Sequence, residues 1–181
     1  LVTPKGRVAF VIKRLLDMEN CRRAYQRVKI TSDYEADLKF SFINDFNVLH
    51  WGKDCYWKYE KHVETEDGGV IACSTLTTNQ KVASCLAAES NCGIEPEKIF
   101  NDMALEIRYD VRLKKGVPAV FTRYCANVAD KHNEYGVDQI ISQAACEAAK
   151  AKRETFEKAV EAVKCYWQKF WENSDTKLEG D

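Results

Sequence analysis

The stretch from Val137 to Trp171 contains neither glycine nor proline, and no other feature constrains the fold as strongly. It is rich in Ala, Glu and Lys, which favour helix. Ile141, Ala145, Ala148, Phe156, Ala159, Val163 and Phe170 recur at steps that place them on one apolar stripe, interrupted at Lys152. A straight helix of this length is roughly 50 Å long at 1.5 Å per residue. A compact chain of this size is only about 40 Å across. The molecule is therefore elongated, or this helix breaks.

The rest of the chain reads as further helix. Thr3-Pro4 is an N-cap followed by proline at the first helical position. Val8, Val11, Ile12, Leu15 and Leu16 give an amphipathic first helix. Ser32 and Glu35 form a capping-box pattern ahead of a second helix carrying Leu38, Phe42, Phe46 and Leu49. Thr65 to Gly69 is a polar turn. Val82, Cys85 and Leu86 lie on a third helix, and Ile99, Met103, Ile107 and Val111 on a fourth. Lys114-Lys115-Gly116 reads as a helix C-terminus. Another helix follows Pro118, with Val120, Phe121, Tyr124, Cys125 and Val128 inward, and Asn133 to Gly136 turns the chain into the last one. Eight glycines and three prolines are few for a sandwich of short strands. The expected fold is all-α, a disulfide-stapled helical bundle of about six to eight helices.

Eight cysteines are an even number, and no Cys-x-x-Cys occurs, which argues against zinc ribbons and thioredoxin-type sites. Cys21, Cys55, Cys73, Cys85, Cys92, Cys125, Cys146 and Cys165 are expected to form up to four disulfides, and hence to mark a secreted, extracellular protein whose signal peptide has been removed. The sequence does not choose among the pairings. The halves also show a faint likeness. Asn20-Cys21 recurs as Asn91-Cys92, and Cys55 and Cys125 each stand seven residues before the His of a Lys-His pair. The expectation is one elongated domain over 1–181, with tandem four-Cys helical units at 1–90 and 91–173 as its alternative description and a frayed tail at 174–181.

All four tryptophans fall in two aromatic clusters, each around a Cys-Tyr-Trp. Trp51, Tyr56 and Trp57 belong to the first, and Tyr166, Trp167 and Trp171 to the second. Rigid amphipathic rings of this kind line apolar pockets, anchor interfaces or pack against cysteines. The first thirty residues carry eight basic and two acidic side chains, against a net charge of −1 for the whole chain. Lys13, Arg14, Arg22, Arg23 and Arg27 form an expected basic face. That face is suited to an anionic polymer or to pairing with acidic segments of the same chain. Nucleic acid is the least favoured partner, because no recognition motif accompanies the charge.

No catalytic motif is present, from H-E-x-x-H to the P-loop. His50 and His62 fall roughly 120° apart on a helix, which does not make a metal pair. No apolar run is long enough to span a bilayer. Composition and helix count are similar to those of insect odorant-binding proteins, but the Cys-x-x-x-Cys step of that family is missing, so no residue role is carried over. The sequence thus points to a non-enzymatic binding protein, without metal or cofactor. The first expectation is sequestration of a small apolar or amphipathic ligand. The second is an effector or inhibitor that engages a protein through exposed aromatics or the basic face.

Overall fold

The computed structural model describes residues 1–49 and 54–174, and over them the chain is mostly β-sheet. Ten strands precede two helices: β1 (Val2–Thr3), β2 (Gly6–Leu16), β3 (Arg23–Ser32), β4 (Ala36–Asp45), β5 (Trp57–Thr65), β6 (Gly68–Thr75), β7 (Lys81–Ser90), β8 (Glu97–Asn101), β9 (Ala104–Leu113), β10 (Ala119–Asp130), α1 (Val137–Glu154) and α2 (Phe156–Ser174). The all-α expectation is corrected. A seven-stranded sheet, ordered β1-β2-β3-β10-β7-β6-β5, faces a three-stranded sheet ordered β4-β9-β8. Every strand pair is antiparallel. β10 from the second half sits between β3 and β7 from the first, so the chain is one interleaved sandwich and not two stacked helical units.

Alternation explains the layers. In β9, Leu105, Ile107, Tyr109, Val111 and Leu113 are buried, while Glu106, Arg108, Asp110 and Arg112 point outward. This period of two is the signature of a strand buried on one face. The inward set packs on Phe42 of β4 and on Val28, Ile30, Leu86, Phe121 and Cys125 of the large sheet. The other face of that sheet presents Val70, Ala72, Ala83, Cys85, Ala126 and Val128 to Ile140, Ile141, Ala144 and Ala148 of α1. The domain therefore has three layers, and the large sheet in the middle is apolar on both sides.

The Val137–Trp171 stretch is helical, and it breaks. Thr155 adopts a left-handed φ of 66°, donates its N–H to the Lys152 carbonyl and offers its own carbonyl to the Ala159 N–H. It thus closes α1 and opens α2 one residue later. A small third cluster joins Ala151, Phe156 and Ala159 to Tyr25, Ala87 and Tyr124 of the sheet.

All eight cysteines, Cys21, Cys55, Cys73, Cys85, Cys92, Cys125, Cys146 and Cys165, are free thiols, which corrects the stapled architecture. Burial in three clusters does the work assigned to covalent bridges. Cys73, Cys85 and Cys125 are themselves core residues. The expectation of an extracellular protein loses the cysteine pairing on which it was built.

Candidate functional site

The basic segment folds into the β2–β3 hairpin, and strand geometry divides its charges. Arg23 and Arg27 sit at alternate positions of β3, on the face turned to the helices. Lys13 stands directly opposite Arg27 on β2 and shares that face, whereas Arg14 lies opposite Gln26 and faces the other way. Arg22 belongs to the turn that leads into β3.

Arg23 is the centre of this group and is only 9% exposed. Its Nε donates to Glu147 at 2.9 Å, and its Nη1 bonds both oxygens of Glu154 at 2.8–2.9 Å. Asn20 and Lys150 also reach Glu147. Burial works against the Arg23 charge, yet the bonds to Glu147 and Glu154 carry its pKa above the ordinary arginine value. Lys150 chiefly, with Arg23 and Asn20, holds Glu147 down at about 2 against the opposing effect of desolvation. Arg27 pairs with Glu157, bonds Thr122 Oγ1 at 3.0 Å and lies over the Phe156 ring. Sequence reasoning alone does not single out Glu147, Glu154 and Glu157. A signal is nonetheless present: Glu147 and Glu154 are seven apart, hence on one helix face, and Arg23 and Arg27 are four apart, hence on one strand face.

A cleft of about 340 Å³ opens beside this cluster, lined by Asp17, Asn20, Arg23, Tyr25, Glu154 and Lys158 among others. Its acidic residues Asp17, Glu19 and Glu154 share the lining with the basic Arg23 and Lys158. Asp17 accepts the backbone N–H groups of Glu19 and Asn20, and Arg23 is committed to its two glutamates. A general acid at neutral pH needs a carboxyl with a raised pKa, and Glu147 is shifted the opposite way. Glu60 is lowered by Ser74 and then by Lys58, and Glu106 by Ser41 and then by Arg108. Among the described residues no group of three or more His, Cys, Asp or Glu is placed to hold a metal ion.

The aromatic residues separate into two places. Trp51 lies outside the described residues. Tyr56 is about half exposed, and Trp57 opens β5 and packs edge-on against Phe46 at 5.1 Å. Tyr166, Trp167 and Trp171 form a ladder with Phe170 on the last turns of α2. Trp167 stacks on Trp171 at 6.3 Å, with Tyr166 and Phe170 edge-on to Trp167 at 5.7 and 5.4 Å. α2 is seated on the β2–β3 side of the large sheet, whereas β5 is its opposite edge. The two clusters do not converge on one pocket. In α2 only Phe156 and Ala159 are buried, both in its first half; from Lys164 to Asn173 it is exposed, Trp167 by 39% and Trp171 by 57%. A rigid helix thus presents a row of rings to its surroundings.

Comparison with known proteins gives this geometry its context. A family model described as "Glycosyl hydrolase family 65, N-terminal domain" matches residues 1–170. Among solved structures, "Putative kojibiose phosphorylase from human microbiome" matches with a TM-score of 0.85 and 29% sequence identity, over 91% of this chain and 21% of that one. The chain thus spans about a fifth of the length of this solved relative. No curated protein sequence matches.

Proposed function

This chain belongs to the N-terminal domain family of glycosyl hydrolase family 65, and on that premise we propose that it is the β-sandwich domain of a carbohydrate-active enzyme whose bond-breaking groups lie outside these 181 residues. The family match overturns the expectation of a non-enzymatic carrier or effector and places the chain in an enzyme family. The observation that carries the domain reading is the match to an N-terminal domain model over residues 1–170 and to only 21% of the solved relative, and several carboxylates tied up by the fold are in keeping with it. Glycoside cleavage uses two carboxyl groups flanking the scissile bond, one of them protonated at working pH. Here Glu147, Glu154 and Glu157 are bound to arginines, and Glu60, Glu106, Glu147 and Glu157 are all pushed toward the ionised form.

The exposed rings of Tyr166, Trp167, Phe170 and Trp171 then take a role in this reading. They form the contact by which the domain packs against the remainder of the enzyme, in line with the anchoring behaviour of aromatics at interfaces. The likeness to a kojibiose phosphorylase favours phosphorolysis of a disaccharide over hydrolysis as the activity of the whole enzyme.

The test is turnover of kojibiose with inorganic phosphate, assayed for the full-length gene product and for the 181-residue chain alone. Cleavage by the longer protein and none by the shorter is expected. Turnover by the 181-residue chain, abolished by changing one of its own carboxylates, would overturn the reading.

A further inference from the structure

Tyr25 and Tyr124 pack edge-on under the start of α2, with ring centroids 6.0 Å apart. Their hydroxyls differ. Tyr124 donates to Glu89 at 2.7 Å. The Tyr25 hydroxyl has no hydrogen-bond partner among the described residues, although Tyr25 is only 2% exposed. A buried hydroxyl is seldom left in that state. Arg23 and Tyr25 are alternate residues of β3 and share its helix-facing side. Burial first, and then the Asp17 charge, raise the Tyr25 pKa; Glu154 adds to the rise and Arg23 opposes it. The ring end thus lies among Asp17, Arg23 and Glu154 as a neutral phenol, able to donate or to accept. These three residues and Tyr25 all line the cleft of about 340 Å³ described above.

The other walls of the cleft are of two kinds. Ala159, Ala162 and Val163 stand at steps of three and four along α2 and give an apolar strip. The β2–β3 turn gives a polar wall that the backbone holds in place. The Asp17 N–H donates to the Arg23 carbonyl at 3.1 Å, and the Arg23 N–H to the Asn20 carbonyl at 3.0 Å. Asp17 Oδ1 accepts the N–H groups of Glu19 and Asn20, both at 2.9 Å. Its Oδ2 stands 3.9 Å from Arg23 Nη1 and keeps lone pairs to offer. Lys158 lines the cleft and takes no part in the ion pairs of the described residues. A largely apolar hollow with a few fixed polar groups is the usual make-up of a small-molecule site, and this one is at the small end of the size range.

We propose that the cleft between the β2–β3 turn and α2 binds a neutral sugar of one or two rings, at a site separate from the bond-breaking groups. The lining selects this chemistry. An anion would meet Asp17, Glu19 and Glu154, while Arg23 is already taken up by Glu147 and Glu154. An organic cation would meet Arg23 and Lys158. A neutral polyhydroxylated molecule suits both signs of charge. Its hydroxyls donate to Asp17 and Glu154, accept from Lys158, and supply the partner that Tyr25 lacks. The C–H face of its ring lies on Ala159, Ala162 and Val163. The site goes beyond the enzyme reading above, since no bond is broken there.

Hydrogen exchange on the full-length gene product, in phosphate-free buffer with D-glucose or kojibiose added, tests this. Either sugar, at about ten times its dissociation constant, should slow exchange in the β2–β3 turn and the first half of α2 by about tenfold. Ala162→Trp, at an exposed helical position on the cleft wall, should fill the cleft and abolish that slowing. Tyr25→Phe should raise the sugar concentration needed by about fivefold without lowering the Tm of the sugar-free protein. Equal exchange with and without both sugars would overturn the proposal. So would slowing that persists in Ala162→Trp, which would place the bound sugar elsewhere. A lower Tm for sugar-free Tyr25→Phe would show that the hydroxyl is already bonded within the fold, and would also reject the site. Slowing by putrescine and by neither sugar would make the cleft a cation site instead. Kojibiose cleavage is assayed separately with phosphate. Cleavage without a response at the cleft counts against the sugar site alone, and a response at the cleft without cleavage counts against the enzyme reading alone.

Discussion

The Arg23 cluster shows how a charge-rich segment becomes part of the interior. Arg23 is nearly buried among Glu147, Glu154 and the β2–β3 turn. Removing Arg23 takes away the cation shared by Glu147 and Glu154, of which only Glu147 keeps another, Lys150. Arg23→Ala should therefore destabilise the fold by about 3 kcal/mol, measured by urea unfolding. Glu147 gives the cluster a pH dependence. Its folded pKa is depressed to about 2, so its contribution is present above the ordinary carboxylate range and is lost as pH falls toward about 2. Glu147→Gln should flatten the acid limb of the stability profile, and an unchanged limb would show that Glu147 does not set it. The thiols separate in the same way. Burial raises Cys73 and Cys85 to about 12 and pushes Cys125 upward, whereas Cys21, Cys146 and Cys165 are exposed. Iodoacetamide should modify the three exposed thiols in the native state and the three buried ones only on unfolding. Fast native labelling of Cys85 would contradict its place under α1.

At the level of elements, some sequence patterns are legible and others are not. The final helical region is, because a long run without glycine or proline and with an apolar stripe admits little else; even its interruption near Lys152 lies close to the break at Thr155. The strands are not, because a step of four is also a multiple of two. Ile107 and Val111, which fit a helical stripe, sit on the same face of β9, with Tyr109 between them completing the alternation. Leu38 and Phe42 likewise frame Phe40 on one face of β4. In β2 the run Val8-Ala9-Phe10-Val11-Ile12 is apolar on both faces, which periodicity alone does not separate from a buried helix. The turn at Thr65–Gly69 is visible in the sequence and joins β5 to β6. On the helical side, Ala144, Ala148 and Ala151 are buried and let α1 lie close to the sheet. Ala148→Leu should cost about 1–3 kcal/mol by overpacking, while Ala149→Leu, on the exposed side, should be near neutral in the same denaturation experiment. Equal effects would place α1 elsewhere.

For the whole molecule, no local motif in the sequence carries the function. The aromatic and basic residues singled out there are real features, but the structure uses them differently. Arg23 and Arg27 fasten sheet to helices, and Tyr166, Trp167 and Trp171 remain outward on α2. The family is carried by the order of ten strands and two helices and by similarity over nearly the whole chain, neither of which composition or motif spacing conveys. A domain whose helix carboxylates Glu147, Glu154 and Glu157 are paired with arginines and whose aromatics are displayed is suited to assembly with the rest of an enzyme. The most direct measurement is the phosphate dependence of kojibiose cleavage by the full-length gene product. Cleavage should require inorganic phosphate and yield a sugar phosphate. An absence of any glycoside cleavage would contradict the assignment to a carbohydrate-active enzyme, and equal cleavage with and without phosphate would replace phosphorolysis with hydrolysis.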